Sequence, residues 1–203
     1  WRGFSLAPPF WQQIALARLQ LQLPTRSEPT PTESTAPTLQ PEQLAKLIGA
    51  RVIVTSRDEH KLERALALGA DHAINSSTQD VAQAVLAATG GRGVDVVFEN
   101  VGAAAWSAAM KSLVRGGRLV TCGATSGDQP PADLRRIFIR QLQILGSTLG
   151  DFSEFRDLLG FVERTGLKPI IDSTYPLDQV HAALDRLDSG TQFGKLALTM
   201  DGV

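Results

Sequence analysis

The sequence predicts an α/β protein organised around a doubly wound parallel sheet, and three observations carry that reading. From Glu42 onward, short apolar, β-branched runs alternate strictly with segments of helical periodicity, the pattern of parallel βαβ units. Of the 203 residues 43% are hydrophobic, enough for the core of one domain, or of one domain plus an appendage. Small residues recur where three successive strands end, at Glu99-Asn100-Val101-Gly102, Cys122-Gly123-Ala124 and Gly146-Ser147-Thr148. Ligands of an open parallel sheet bind beyond such strand ends, and small residues let them approach the backbone.

Taken in order, Glu42 to Leu47 reads as the end of a helix closed by Gly49, and Arg51 to Thr55 (RVIVT) as a strand buried on both faces. Asp58 is placed to cap a helix running to Leu68, with Gly69 as its stop. Strands are expected at His72 to Ile74, Val94 to Phe98, Arg118 to Thr121 and Gln143 to Gly146. Helices are expected at Val81 to Ala88, Ala104 to Leu113 and Ala132 to Ile139. The texture changes after Gly150: a helix over Phe152 to Arg164, a strand over Ile170 to Tyr175, a helix over Leu177 to Leu187 and a strand over Lys195 to Met200. Residues 24 to 41, rich in Pro, Thr and Ser, read as a flexible linker, because so few apolar groups cannot offset the entropy of ordering. Residues 11 to 23 read as a poorly ordered tail with a loosely amphipathic helix as the alternative, and a chain beginning with Trp1 suits a fragment or processed product.

A formal net charge of -1 gives no electrostatic reason to expect nucleic acid or an anionic membrane surface as partner. No apolar run approaches the roughly 18 residues of a membrane span, and prolines and glutamines break up any signal-peptide core near the start. Cys122 is the only cysteine, so an internal disulfide and a multi-thiolate zinc site are both excluded, which suits a cytoplasmic protein. His60, His72 and His181 show no metal-ligand spacing, and structural roles are the simpler reading of His72 and His181. Cys122 ends a strand near the expected ligand; small-residue packing is the preferred reading over redox chemistry, which would need a depressed pKa.

The first strand is followed by Ser56 and Arg57, with Lys61 one helical turn further on. A site selective for NAD usually places a carboxylate there, against the ribose hydroxyls. A hydroxyl beside a guanidinium suits a 2′-phosphate instead, although the same residues also fit an ordinary solvated surface.

The runs LERALALGADHAIN, GRGVDVVFENVG, RGGRLVTCGATSG, DLRRIFIRQLQILGSTLG and QFGKLALTM together resemble the medium-chain dehydrogenase/reductase family, nearest its zinc-type alcohol dehydrogenase and quinone oxidoreductase-like members. The resemblance covers roughly residues 43 to 200 and rests on five motifs in the family's order. It implies a Rossmann-like nucleotide-binding domain over 42–165 and, over 166–203, a segment that returns to the catalytic domain, with 1–41 outside the family pattern. It implies NADP(H) as cofactor, with Ser56, Arg57 and Lys61 near the 2′-phosphate and Asn100, Val101 and Gly102 near the nicotinamide ribose. Gly123 and Ala124 would lie near the ring, Ser147 and Thr148 along its carboxamide side, and Gly194 and Lys195 would approach from the C-terminal segment. The substrate implied is a small carbonyl, alcohol or enone.

Two departures bear on that reading. The linker stands where the family has its first strand and glycine-rich turn, so the sheet is expected to lack that strand and to expose an apolar slot. The N-terminal catalytic domain, which supplies the metal ligands of zinc-dependent members, has no counterpart in the sequence, and no zinc is expected in this chain. The competing reading is therefore a non-catalytic remnant or interaction module that dimerises through the exposed sheet. A methyltransferase fits less well, because Ser56-Arg57 replaces the acidic residue that would hold ribose hydroxyls.

Overall fold

The computed structural model describes residues 31–34 as backbone, 40–148 and 150–200. The expected tail over 11–23 and most of the linker, residues 35–39 included, lie outside the described residues.

Six parallel strands form the main sheet: β1 Pro31–Ser34, β2 Arg51–Ser56, β3 His72–Asn75, β4 Val94–Glu99, β5 Leu113–Thr121 and β6 Gln143–Gly146, in the order β3-β2-β1-β4-β5-β6. The order reverses between β1 and β4, as in the doubly wound dinucleotide-binding fold. The connecting helices are α1 Gln40–Leu47, α2 Glu59–Ala67, α3 Val81–Ala88, α4 Ala103–Ser112 and α5 Leu134–Arg140. Helix α6 (Phe152–Thr165) leads into a separate parallel pair, β7 Ile171–Pro176 and β8 Lys195–Thr199, joined through α7 Val180–Asp188.

The expected vacancy at the sheet's centre is filled. Strand β1 pairs on one side with β2, Pro31 opposite Arg51, and on the other with β4, Thr32 opposite Val96. This corrects the expectation of a missing first strand and an open slot, and with it the basis for dimerisation through that slot. Proline is tolerated because it stands first in the strand. A second correction concerns β5, which starts at Leu113 rather than Arg118 and carries Gly116 and Gly117 within it. Its pairing with β4 shifts register between Val94 and Val96, so the extra residues are absorbed as an irregularity.

Alternation along the strands sends successive side chains to opposite faces. Ile53, Val97 and Leu119 face α3 and α4 and pack with Val85, Ala109 and Met110. Val52 and Val54 face the other way, against Ala45 of α1 and Leu62 and Ala65 of α2. Val96, Phe98 and Val120 meet Leu44, with Phe161 of α6 packed against them. Phe193, 2% exposed, joins the α1–α2 cluster from the C-terminal segment, and the Arg64 guanidinium lies 3.9 Å from its ring centre. Asp172 anchors the same segment: its carboxylate accepts from Arg186 Nη2 at 2.9 Å and from the Phe193 N–H at 2.9 Å. The cap expected at Asp58 is present, its Oδ1 accepting the N–H groups of His60 and Lys61.

One buried acid works against the fold. Glu42, in the first turn of α1, is 5% exposed with Oε2 unpartnered, and burial pushes its pKa from 4.5 to about 8, its own backbone N–H opposing. An acid whose folded pKa is raised costs nothing below its unfolded value, and its cost grows until pH passes the folded value. Glu42→Gln is therefore expected to unfold at higher urea than the parent at pH 8 and close to the parent at pH 4.5. A difference that does not grow across that interval would contradict the assignment.

Candidate functional site

The carboxyl ends of β5 and β6 converge on a cleft of about 510 Å³ lined by Thr121, Cys122, Gly123, Ala124, Gly146, Ser147 and Thr148. Four of the residues singled out from the sequence, Gly123, Ala124, Ser147 and Thr148, thus share one surface. Asn100 adjoins them: a Cβ on Gly123 would sit 3.0 Å from the Asn100 carbonyl oxygen. Asn100 is itself 5% exposed, with Oδ1 lacking a hydrogen-bond partner.

The loop after β4 is shaped by a residue that the motif reading passed over. Glu99 is completely buried, and its Oε1 accepts the N–H groups of Val101 at 2.7 Å and Gly102 at 2.8 Å. Its Oε2 has no partner. Burial raises its pKa, against those two N–H groups, which favour the ionised form. The available signal was a carboxylate closing an apolar strand just before Asn-Val-Gly, where it can only fold back onto the turn. Opposite, the 122–127 loop is laced to the β4 loop. Ser126 N–H donates to the Val101 carbonyl at 2.7 Å, and the Ala103 and Ala104 N–H groups are taken by Gly127 O and Ser126 Oγ, both at 2.9 Å. These first donors of α4 are therefore already engaged.

Cys122 is half-buried, and burial, with the Glu99 carboxylate adding to it, pushes its thiol up to about 12. The thiolate needed for redox or nucleophilic chemistry is thereby disfavoured at neutral pH.

The remaining residues sit apart from the cleft. Ser56 ends β2, and its Oγ accepts the Asp58 N–H at 3.1 Å. Arg57 is exposed and makes no hydrogen bond or ion pair among the described residues. Lys61 is half-buried on α2, its Nζ donating to the Gly190 carbonyl. Lys195 opens β8 and Gly194 immediately precedes it: Gly194 has φ +112°, a Cβ there would fall 2.4 Å from the Ile170 carbonyl, and the Lys195 N–H donates to that same oxygen. Burial lowers the Lys195 pKa. His72 Nε2 lies 2.7 Å from Arg51 Nη2, and His181 is exposed. No group of three or more His, Cys, Asp or Glu side chains converges among the described residues, and no described helix is long and apolar enough to cross a membrane.

The interlock of the two loops depends on Gly102, at φ +90°, where a Cβ would meet Gly127 O at 2.4 Å and the Ala124 Cα at 2.8 Å. Gly102→Ala is expected to cost about 1–3 kcal/mol in chemical denaturation. Gly146→Ala, where a Cβ meets nothing within 4 Å, is expected to leave stability nearly unchanged. Equal stability of the two variants would contradict this geometry.

Residues 42–164 match the zinc-binding dehydrogenase family. A zinc-type alcohol dehydrogenase-like protein of Schizosaccharomyces pombe is 33% identical over 164 residues, 78% of this chain and 47% of that protein. An alcohol dehydrogenase of Geobacillus stearothermophilus is 31% identical over 159 residues, 78% of this chain and 46% of its own length. Among solved structures, an NAD-dependent alcohol dehydrogenase superposes with a TM-score of 0.80 at 35% identity, over 94% of this chain and 55% of the other. An alcohol dehydrogenase assigned to Sinorhizobium meliloti 1021 gives 0.83 at 33% identity, over 94% and 55%. The chain spans about half the length of the curated relatives it matches. It belongs to the zinc-binding dehydrogenase family, within the medium-chain dehydrogenases/reductases, and corresponds to their nucleotide-binding portion.

Proposed function

We propose that this chain binds NADP(H) as the nucleotide-binding portion of a cytoplasmic oxidoreductase that moves a hydride to or from a small carbonyl, alcohol or enone. The observation that carries the reading is the set of strand ends facing one side: Ser56 and Arg57 after β2, Asn100 to Gly102 after β4, and the cleft beyond β5 and β6. Residues 42–165 form the nucleotide-binding domain in this reading, and 166–203 the segment that returns toward the catalytic domain.

The residues present fit a dinucleotide at both of its ends. At the nicotinamide end, the cleft beside Gly123 and Ala124 leaves room for a flat ring, with the Asn100 backbone packed directly behind Gly123. Ser147 and Thr148 offer hydroxyls to the carboxamide from the same cleft. When bound, the nicotinamide supplies the hydride chemistry, and this chain's own residues orient it and exclude water. At the adenosine end, the carboxylate nearest the end of β2, Asp58, is engaged in capping α2. Arg57 is left to meet a negative charge. Between the two ends the fit is poorer: residues 35–39 (TAPTL) contain no glycine to let backbone approach a pyrophosphate. No catalytic residue is assigned to this chain, and it is expected to turn over poorly by itself.

Several relatives are named as NAD-dependent, so the preference for NADP(H) rests on Ser56 and Arg57 and is open to direct test. Titration of the purified chain with NADPH and with NADH, followed by nucleotide fluorescence, is expected to show saturable binding with NADPH preferred. Arg57→Ala is expected to weaken NADPH about tenfold, the loss of one charge-assisted contact, with NADH unchanged. Equal loss for both nucleotides would overturn the phosphate assignment, and binding of neither would overturn the cofactor assignment.

A further inference from the structure

Lys61 stands between two elements that a nucleotide would treat differently. From α2 its ammonium reaches across to the return segment and donates to the Gly190 carbonyl. Burial lowers its pKa, the charges of Asp58 and Asp172 favour its ionised form, and Arg186 and Arg57 oppose it. Neither carboxylate bonds to it: Asp58 Oδ1 caps α2, and Asp172 is taken by Arg186, Ser173 and the Phe193 N–H. The ammonium is thus held by a neutral carbonyl while lying within the field of the exposed Arg57. A phosphate carried by Ser56 and Arg57 is a stronger acceptor than a peptide oxygen, because both partners of that hydrogen bond are charged.

We propose that Lys61 is a latch: it holds the Gly190–Gln192 turn in the free protein and exchanges that carbonyl for the 2′-phosphate of a bound dinucleotide, releasing the turn. The latch rests on the reading of Ser56 and Arg57 as 2′-phosphate contacts. Release stays local, because Arg186 Nη1 still donates to Thr191 Oγ1, Phe193 remains packed beside Arg64 and Asp172 remains bonded to Arg186. NADP⁺ and NAD⁺ differ only in that phosphate, so the return segment senses which of the two is bound.

Hydrogen exchange of the full chain, read on peptides spanning 187–193, tests this with NADP⁺, NAD⁺ and adenosine 2′,5′-bisphosphate, binding being followed separately by the protein's tryptophan fluorescence. NADP⁺ and the bisphosphate are expected to speed exchange at Gly190 and Thr191 several-fold, and NAD⁺ to leave it unchanged. Lys61→Met is expected to show the faster rate without nucleotide and no further response. Saturable NADP⁺ binding with unchanged exchange in the parent chain overturns the latch while sparing the cofactor assignment, since an ammonium has donors enough to serve both acceptors at once. Absence of any nucleotide binding overturns both, and the fluorescence signal separates the two failures. Should Lys61→Met fail to fold, the parent chain's response to the two nucleotides decides alone.

Discussion

Everything in the main sheet hangs on one four-residue strand. β2 and β4 do not pair with each other; each pairs with β1, so among the described residues Pro31–Ser34 is the strand that joins β3-β2 to β4-β5-β6. A parallel sheet covered by helices on both faces has no water to satisfy an interrupted ladder. Filling the central position brings the ends of β2 and β4 to one side of the sheet, at the crossover where such folds bind dinucleotides. The fold therefore asks of β1 its backbone groups and its extended geometry.

At the carboxyl end of β4 the constraint is crowding. Glu99 folds its carboxylate back onto two N–H groups of its own loop, and Gly102 and Gly123 bring the β4 and β5 loops into backbone contact. These contacts make the surface beside the cleft rigid and leave Asn100 Oδ1 held without a partner inside the fold. A preformed edge of this kind suits a flat ligand, whose binding then needs little ordering of the protein.

The alternating elements after Glu42 were legible because each core strand is apolar on both faces, as RVIVT and VDVVFE show, and the turns between them carry their own caps. β1 was illegible for the opposite reason. PTES is polar and begins with proline, and its place is fixed by two neighbouring ladders that no local pattern records. The start of β5 was missed because Arg115-Gly116-Gly117 has the composition of a turn, while the shift against β4 makes room for it within the strand. For the site, small residues at strand ends pointed to the cleft, since glycine and alanine there have no core to fill. The tie between Lys61 and Gly190 spans 129 positions and left no trace in the local sequence.

That tie matters because recognition of an anion here depends on local rather than global charge. The chain as a whole is nearly neutral, at -1, and exerts little long-range pull on a phosphate. Around the end of β2, however, the nearby carboxylates are engaged: Asp58 by the first N–H groups of α2, Glu59 by the Asn75 amide, Asp172 by Arg186, Ser173 and the Phe193 N–H. Burial alone would raise the Asp172 pKa, but those hydrogen bonds and the Arg186 charge outweigh it and hold the carboxyl below its usual range, so it stays ionised and engaged at neutral pH. Its negative charge is thereby matched by Arg186, with Arg64 at 3.7 Å as a second cation. Among the described residues, Arg57 at this end of the sheet has no ion-pair partner, and Lys61 lies within its field. The return segment, by occupying Asp172 and Arg186 with each other, thus helps set the sign of the field that a dinucleotide meets.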